Sequence, residues 1–273
     1  MNPVTAAGTP SQREAAGDTP GARDGAHVAL EFTGVSKRFD DGTLALLPVS
    51  FFAQRGEFVA IVGPSGCGKS TLLRLAAGLT TSSTGTIAVG ARNVGYVFQD
   101  PTLLPWRSVQ RNVELLGELH GVPKPQRRAV AEAAIAAVGL TGFQDKYPRA
   151  LSGGMKMRAS LARALTLSPD VFLFDEPFGA VDEITRERLN DELLRLFQAR
   201  RFTALFVTHS VTEATFLASR VLVMSERPGR ILADLAVPFP YPRRPELRYD
   251  PAFAQVTGMI GAALRSEPGG GSQ

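Results

Sequence analysis

Cysteine is almost missing from this sequence, since Cys67 is the only one among 273 residues. A disulfide framework is therefore excluded, because a bridge within the chain needs two cysteines. No apolar run approaches the roughly 18 residues that a membrane-spanning helix needs. The N-terminus also lacks a basic region followed by an apolar stretch, so we expect no secretory signal and a cytosolic compartment.

Long runs of one charge are missing as well. The chain has 30 basic and 26 acidic residues, a net charge of +4 and an isoelectric point near 9.5. No run of five or six basic residues stands out, so scattered solvated charge is favoured over a nucleic-acid or membrane-binding patch. A hydrophobic content of 44% and a charged content of 21% are ordinary for a globular protein of one large or two small domains.

One motif stands out in the first half of the chain. Residues 63–71 match the pattern G-x-x-x-x-G-K-[ST] without a mismatch. The apolar run at 57–62 is typical of a buried strand, and residues 70–77 are typical of a helix that Gly78 ends. The alternative is a glycine-rich turn that precedes a lysine by coincidence. The context instead predicts a phosphate-binding loop, made of Gly63, Pro64, Ser65, Gly66, Cys67, Gly68, Lys69, Ser70 and Thr71.

The residue types of this loop suit a nucleoside triphosphate. Its glycines leave the backbone free to curl around an anion, and the N–H groups at the helix start direct positive charge at phosphate oxygens. Lys69 adds a full charge for the β- and γ-phosphates, and the Ser70 hydroxyl can ligate Mg²⁺. We interpret Cys67 as a filler position rather than as an oxidation switch.

The remaining pattern predicts an α/β protein. Strands at 28–32, 46–52 and 84–89, with a turn at 40–42, indicate an antiparallel β region. Strands at 94–98, 171–174, 204–207 and 221–224, with helical sequence at 184–199, indicate a parallel sheet with helices on both faces. Residues 236–266 are expected to form an extended segment followed by a helix. Residues 1–26 and 267–273 are expected to be disordered, because they have almost no large apolar side chains.

Helical sequence fills the interval between residues 101 and 168. We expect one helix at 125–138, ended by Gly139, and another around 161–165. A further single helix is expected to hold the apolar residues Val113, Leu115, Leu116 and Leu119. These helices, inserted between strands, predict a distinct helical lobe.

Two carboxylates follow a predicted buried strand, at Asp175 and Glu176. Ligands bind at the carboxyl edge of an open parallel sheet, which is also the edge of the phosphate-binding loop. Asp175 is therefore predicted to hold Mg²⁺, and Glu176 to orient or deprotonate an attacking water. A strand that merely ends in two acids is the weaker alternative beside such a loop.

Two further features each leave a structural alternative open. Ser152 is a good helix N-cap, and Gly153 and Gly154 expose N–H groups at a helix start. This is either a second anion site or an ordinary helix entry, and the residue types do not decide. His209 follows another predicted strand and can reach a γ-phosphate, although a structural strand-end histidine is the alternative.

In their order along the chain, these residues resemble the ATP-binding subunit of an ABC transporter, over about residues 28–235. The resemblance implies that Phe39 stacks on adenine and that Gln99 links the Mg²⁺ site to the helical lobe. It also implies that residues 151–155 correspond to the LSGGQ signature, that Asp182 lies in a dimer-contacting loop and that His209 is a switch histidine. The implied catalytic residues are Lys69, Gln99, Glu176 and His209, and the implied metal ligands are Ser70, Gln99 and Asp175.

The sequence departs from the family pattern at two positions. Met155 stands where the family has glutamine, and Val181 stands where it has leucine. The residues that would contact a γ-phosphate, Ser152, Gly153 and Gly154, are retained, so neither departure removes an implied contact.

The resemblance implies a P-loop NTPase fold with a parallel core sheet, an antiparallel β subdomain and an inserted helical subdomain. The expected division is a tail at 1–26, an ATP-binding domain at 27–240 with the helical subdomain at about 101–168, and a C-terminal extension at 241–273.

Residues 98–106 and 224–231 narrow the resemblance to importers of nitrate, sulfonates, taurine and related nutrients. An ATPase that uses ATP and Mg²⁺ is implied, with two copies packed head to tail around the nucleotides. The implied partners are a second copy, transmembrane permease subunits and, indirectly, an extracytoplasmic substrate-binding protein, with no nucleic acid. The implied location is peripheral, at the cytoplasmic face of the membrane.

Two other functions are alternatives to transport. A soluble ABC-type ATPase acting on nucleic acid or ribosomes would suit the basic isoelectric point, but one cassette with a short lobe favours transport. A small-molecule kinase would share the phosphate-binding loop, but it would leave residues 151–155 and His209 unexplained. Trp106 is interpreted as a partner contact rather than as packing within the lobe.

Overall fold

A computed structural model describes residues 28–266 of the chain. The expected disorder at 1–26 and 267–273 lies outside these residues. The strands are β1 (Val28–Arg38), β2 (Leu44–Gln54), β3 (Phe58–Val62), β4 (Thr84–Val89), β5 (Val94–Val97), β6 (Val171–Asp175), β7 (Thr203–Thr208), β8 (Arg220–Met224) and β9 (Ile231–Ala236). The α-helices are α1 (Lys69–Ala76), α2 (Val109–Val113), α3 (Leu115–Leu119), α4 (Lys124–Ala137), α5 (Gly153–Leu165), α6 (Glu183–Arg200), α7 (Val211–Leu217) and α8 (Pro251–Arg265).

The first sheet is antiparallel, in the order β2-β1-β4. It forms because β1 and β2 alternate buried apolar and exposed polar side chains, which gives the sheet one apolar face. Phe32 and Phe51 stack on that face with their ring centroids 4.6 Å apart. The apolar face packs in one core with α1 and with inward side chains of the second sheet. The predicted antiparallel β region is confirmed.

The second sheet has the order β5-β6-β7-β3-β8-β9. Its first five strands are parallel, and β9 is antiparallel to β8 at the edge. Every residue of β3, β6 and β7 is buried, as expected of continuous apolar strands covered on both faces. Val62 is in register with Thr208, and Asp175 with Val207, so these three strands end at one edge. The predicted parallel core sheet is confirmed.

Helices α2 to α5 lie between β5 and β6 along the chain. The prediction of one helix through Val113 and Leu119 is wrong, because two short helices meet at Glu114. Glu114 is buried and its carboxylate lies 3.6 Å from Arg127 of α4, an inward contact that accompanies the break. Leu119 is 72% exposed, so the apolar residues of this stretch do not share one buried face.

The end of the chain packs back on the core. The expected extended segment and helix are confirmed, with α8 burying Phe253 and Ile260. Neither α7 nor β9 was predicted, since α7 has seven residues and β9 is a half-exposed edge strand with a weak pattern. Among residues 28–266, no helix combines the length and apolar character needed to cross a membrane.

Candidate functional site

The phosphate-binding loop connects β3 to α1 at the edge where the parallel strands end. Gly66 and Gly68 have φ angles of +78° and +107°, a region that other residues rarely adopt. A Cβ atom on Gly68 would also lie 2.7 Å from Leu46 Cδ2, so side chains are excluded on both conformational and steric grounds. The loop therefore keeps its curled path, with the N-terminus of α1 directed at its centre.

Lys69 is the first residue of α1 and is only 4% exposed. Its ammonium donates to the carbonyl oxygens of Gly63 and Pro64, both at 2.9 Å. The same ammonium lies 3.5 Å from Glu176 Oε1. These contacts hold a full positive charge against the loop, where a phosphate group would meet it.

A hydroxyl and a carboxylate from distant parts of the chain meet beside this lysine. Ser70 Oγ donates to Asp175 Oδ1 at 2.7 Å, and the Tyr96 hydroxyl donates to Asp175 Oδ2 at 3.0 Å. Burial and the neighbouring Asp175 carboxylate raise the pKa of Tyr96, so its hydroxyl keeps its proton and remains a donor. Tyr96 was not predicted from the sequence, because its contact with Asp175 depends on the pairing of β5 with β6.

This pair of oxygen ligands fits Mg²⁺. Mg²⁺ prefers hard oxygen ligands, and it takes only one or two from a protein when substrate phosphates and water supply the rest. No cluster of three or more His, Cys, Asp or Glu side chains within residues 28–266 is placed to hold a metal ion by itself. Ser70 and Asp175 therefore suit a cation that arrives with a nucleotide.

Glu176 follows Asp175 and has a positive φ of +46°. Its N–H donates to Val207 O of the neighbouring strand at 3.0 Å, which holds the backbone in this uncommon conformation. Glu176 Oε2 lies 3.4 Å from Nδ1 of His209, while Oε1 faces Lys69. One carboxylate thus lies between a cation and an imidazole at the mouth of the loop, where it can accept a proton from water.

Lys69, Ser70 and Glu176 line an open cleft of about 410 Å³. Asp175 and His209 contact Ser70 and Glu176 respectively without lining the cleft themselves. The cleft brings together nine of the residues predicted to form the site, namely Phe39, Ser65, Gly66, Gly68, Lys69, Ser70, Thr71, Gln99 and Glu176. Phe39 is 38% exposed, so its ring is available to a planar base. Ala45, Arg74 and Arg227 also line the cleft and were not predicted.

The remaining residues of the loop do not line the cleft: Gly63 and Cys67 are buried, and Pro64 is exposed. Gly63 and Pro64 accept the lysine hydrogen bonds through their carbonyl groups. Cys67 is buried, and burial raises the pKa of its thiol. A Cβ on Gly63 would lie 3.0 Å from both Cys67 Sγ and Met224 Cβ, so this thiol acts as part of the packed floor.

Four other predicted residues lie outside the cleft, on a second surface. Ser152 is the N-cap of α5 and accepts from Met155 N–H at 3.3 Å, and Asp182 is the N-cap of α6 and accepts from Thr185 N–H at 3.0 Å. A Cβ on Gly153 would lie 3.7 Å from Val181 Cγ1, so the two helix starts are neighbours. Ser152, Gly153 and Asp182 are exposed, whereas Gly154 is buried.

Gly229 lies between β8 and β9, at the same sheet edge as the phosphate-binding loop, and supports that loop. Its N–H donates to Ala45 O, and its carbonyl accepts from Leu47 N–H, both at 2.9 Å. A Cβ at this position would lie 2.1 Å from Cys67 O. From the sequence, residues 224–231 contribute only to the family resemblance, because nothing in their local pattern indicates what Gly229 faces.

Comparison with known proteins places this geometry in a family. The profile described as ABC transporter matches residues 46–179. The chain is 46% identical over 238 residues to the aliphatic sulfonates import ATP-binding protein SsuB 1 of Mesorhizobium japonicum, covering 85% of this chain and 87% of that protein. It is 41% identical over 252 residues to the nitrate import ATP-binding protein NrtD of Synechocystis, covering 86% of this chain and 95% of that protein.

A solved structure agrees with these relatives. The ATP-binding cassette MJ0796, described as a dimer in a post-hydrolysis state with ADP and Pi, has a TM-score of 0.67 and 28% identity. The match covers 77% of this chain and 99% of that structure. The described fold is accordingly that of a P-loop NTPase. The phosphate-binding loop and the carboxylate pair Asp175 and Glu176 follow each other along the chain in the expected order. The chain belongs to the ABC transporter family, as one of its ATP-binding, ATP-hydrolysing subunits.

Proposed function

We propose that this chain energises the import of a small nutrient such as nitrate, an aliphatic sulfonate, taurine or a related compound. Supporting this proposal are the relatives named as nitrate and sulfonate import ATP-binding proteins. The observation that carries the catalytic part is the assembly of Lys69, Ser70, Asp175 and Glu176 within hydrogen-bonding or ion-pair reach at one sheet edge. No contact within residues 28–266 favours the alternative, a soluble ABC-type ATPase that acts on nucleic acid or ribosomes.

Each residue of the cleft has a proposed role. Phe39 stacks on the adenine, and the loop from Gly63 to Thr71 binds the phosphates with Lys69. Ser70, Asp175 and Gln99 would hold Mg²⁺, which when bound neutralises phosphate charge. Glu176 orients the attacking water and accepts its proton, and His209, 3.4 Å away, holds that carboxylate and reaches the γ-phosphate.

The second surface is proposed to close over the nucleotide of another copy. Ser152 and Gly153 are exposed and lie outside the cleft, which supports a second surface, separate from the first, for the phosphates of another nucleotide. Two copies packed head to tail would place the Ser152–Gly154 surface of each against the phosphates of the other, with Asp182 at the contact. The dimeric state of the similar cassette supports this arrangement.

The membrane partners follow from the importer proposal. We propose an ATP-binding domain over residues 27–240, with a helical subdomain at about 101–168 that docks on transmembrane permease subunits at the cytoplasmic face. Gln99 lines the cleft just before this subdomain, a position that suits transmission of a motion from the nucleotide to the permease. Trp106 is 71% exposed on the subdomain, which suits a contact with the permease. An extracytoplasmic substrate-binding protein would take part indirectly.

Replacing Glu176 with glutamine tests the proposal. We expect the Glu176→Gln variant to lose steady-state ATP hydrolysis by roughly 10²-fold or more, because general-base catalysis supplies about that factor. ATP binding should remain, and sedimentation with ATP should show a stable dimer. The matched control is Glu132→Gln, on the exposed part of α4, which should hydrolyse ATP normally. Hydrolysis at the normal rate by Glu176→Gln would contradict the assignment.

A further inference from the structure

Helix α7 begins two residues after His209 and has only seven residues. A helix of this length has little stability of its own, so its position depends on contacts made at its two ends. The direction of the preceding turn, and with it the imidazole of His209, depends on where α7 is held. Contacts that hold α7 are therefore contacts that hold the histidine.

The N-terminal end of α7 is tied to the end of strand β7. Glu213 is buried, its carboxylate accepts from the Thr208 hydroxyl, and its N–H donates to Ser210 Oγ at 3.3 Å. Ser210 N–H donates in turn to Thr208 Oγ1 at 2.9 Å. These hydrogen bonds form a ring through Thr208, Ser210 and Glu213, and His209 lies between the first two along the chain. The turn that carries His209 therefore cannot move independently of α7.

The C-terminal end of α7 is held by an arginine from the segment after β9. Arg243 is 8% exposed, and its Nη1 donates to the carbonyl oxygens of Thr215, Phe216 and Ala218 at 3.1, 2.9 and 2.9 Å. The last carbonyl groups of a helix have no partner within the helix, and a cation there also matches the helix dipole. One buried guanidinium thus satisfies most of the end of this helix.

Two neighbouring side chains of the same segment complete the attachment. The Tyr241 hydroxyl donates to Leu217 O at 2.6 Å, and the Arg243 guanidinium lies 4.4 Å from the centre of the Tyr241 ring. Arg248 lies 3.5 Å from the centre of the Phe216 ring and pairs with Asp191 of α6 at 2.9 Å. The segment therefore connects α7 to α6 as well as to the sheet.

We infer that residues 237–248 position the switch histidine, with Arg243 as the principal positioning residue and α7 as the rigid connection. The inference rests on the proposed function, because it assigns His209 a part in hydrolysis. The Arg243 guanidinium bonds to main-chain carbonyl groups and lies over the Tyr241 ring, and it does not line the cleft. It acts by fixing the C-terminal end of α7, which fixes the ring of hydrogen bonds around His209 and so the distance from His209 to Glu176.

The test uses the full chain and the conservative variant Arg243→Lys, which keeps the charge but loses the forked donor geometry. Arg244→Lys is the matched control, because Arg244 is adjacent, exposed and without a side-chain hydrogen bond or ion pair among residues 28–266. Imidazole signals are recorded by NMR from the three histidines, His27, His120 and His209, and a His209→Gln variant assigns the relevant one.

We expect Arg243→Lys to shift or broaden the His209 signal and to leave the His120 signal unchanged. The kcat for ATP should fall about 10-fold with little change in KM, since small misplacements of a catalytic group cost that much or more while nucleotide binding is untouched. Arg244→Lys should match the unmodified protein in both measurements. Should Arg243→Lys fail to fold, Tyr241→Phe removes one hydrogen bond from the same attachment and should shift the same signal.

Two results separate this inference from the proposed function. If His209→Gln hydrolyses ATP at the normal rate, the proposed role of His209 is wrong. If His209→Gln is impaired but Arg243→Lys, folded, leaves the His209 signal and kcat unchanged, the positioning inference is overturned. Equal effects of Arg243→Lys and Arg244→Lys would overturn it as well.

Discussion

At the scale of single residues, the site depends on one carboxylate that two hydroxyl groups share. Asp175 accepts from Ser70 through one oxygen and from Tyr96 through the other. Both bonds lie in a partly buried setting, where a hydrogen bond to a charged group contributes more than it would in water. Ser70 belongs to the expected metal site, whereas Tyr96 fixes the orientation of the Asp175 carboxylate through its other oxygen.

The Tyr96→Phe variant should weaken the metal site without removing a ligand. We expect the Mg²⁺ concentration for half-maximal ATP hydrolysis to rise about 10-fold, because loss of a hydrogen bond that orients a metal ligand costs roughly that factor. The measurement is ATPase activity across a Mg²⁺ titration at saturating ATP. Tyr147→Phe is the control, since Tyr147 is 45% exposed and its hydroxyl makes no hydrogen bond within residues 28–266. A Tyr96→Phe titration that overlays the control would refute the orienting role.

At the scale of the elements, short apolar strands were easier to predict than short helices. Strands β3, β6 and β7 are continuous buried runs, and their types followed directly from composition. Helix α7 escaped prediction because seven residues span about two turns, too few to establish a periodicity. The break at Glu114 also escaped, because it accompanies a contact with Arg127 rather than a local breaker residue.

Two glycines with opposite surroundings give a prediction at this scale. Gly229→Ala should destabilise the protein by roughly 1–3 kcal/mol and weaken ATP binding, since its Cβ would collide with Cys67 O beneath the phosphate-binding loop. Gly258→Ala, in the interior of α8 with open space around it, should stabilise the protein by roughly 0.5–1 kcal/mol. Thermal unfolding and ATP titration measure both variants. Equal melting temperatures for the two would contradict the assigned environments.

At the scale of the whole molecule, the chain end after β9 is joined to the core by buried polar contacts as well as by apolar packing. Burial raises the pKa of Tyr241 to about 12, and its neutral hydroxyl donates to Leu217 O. Because the folded pKa lies above the usual value of about 10, the stability that this group contributes is present below pH 10 and is lost as the pH rises towards 12.

The Tyr241→Phe variant makes this pH dependence measurable. We expect the unmodified protein to have the higher unfolding midpoint at pH 9, because the hydroxyl still donates its hydrogen bond there. The difference in unfolding midpoint between the two proteins should shrink between pH 10 and 12. Only the unmodified protein has a buried phenol that opposes ionisation in this pH range. Denaturant unfolding of both proteins at several pH values measures this difference, because the contributions of all other titrating groups are the same in the two proteins. A difference that stays constant over this range would contradict the burial of a neutral hydroxyl.

The sequence by itself determined the phosphate-binding loop, the strands of the parallel sheet and the family, because those depend on residue types at fixed local spacings. Glycines with positive φ, a lysine at a helix start and continuous apolar runs act over a few residues. Such patterns can be recognised in the sequence without knowing which distant residues they contact. The loop residues that line the cleft were predictable for the same reason, whereas Ala45, Arg74 and Arg227 were not predicted.

Only the tertiary structure decided which distant residues meet. Ser70 and Asp175 are 105 residues apart in the chain, and the strand order β5-β6-β7-β3-β8 brings their elements to one edge. The same order places Tyr96 behind Asp175, and the folding-back of the chain after β9 places Arg243 on α7. No local pattern encodes such contacts, because they follow from the pairing of parallel strands and the packing of segments far apart in sequence.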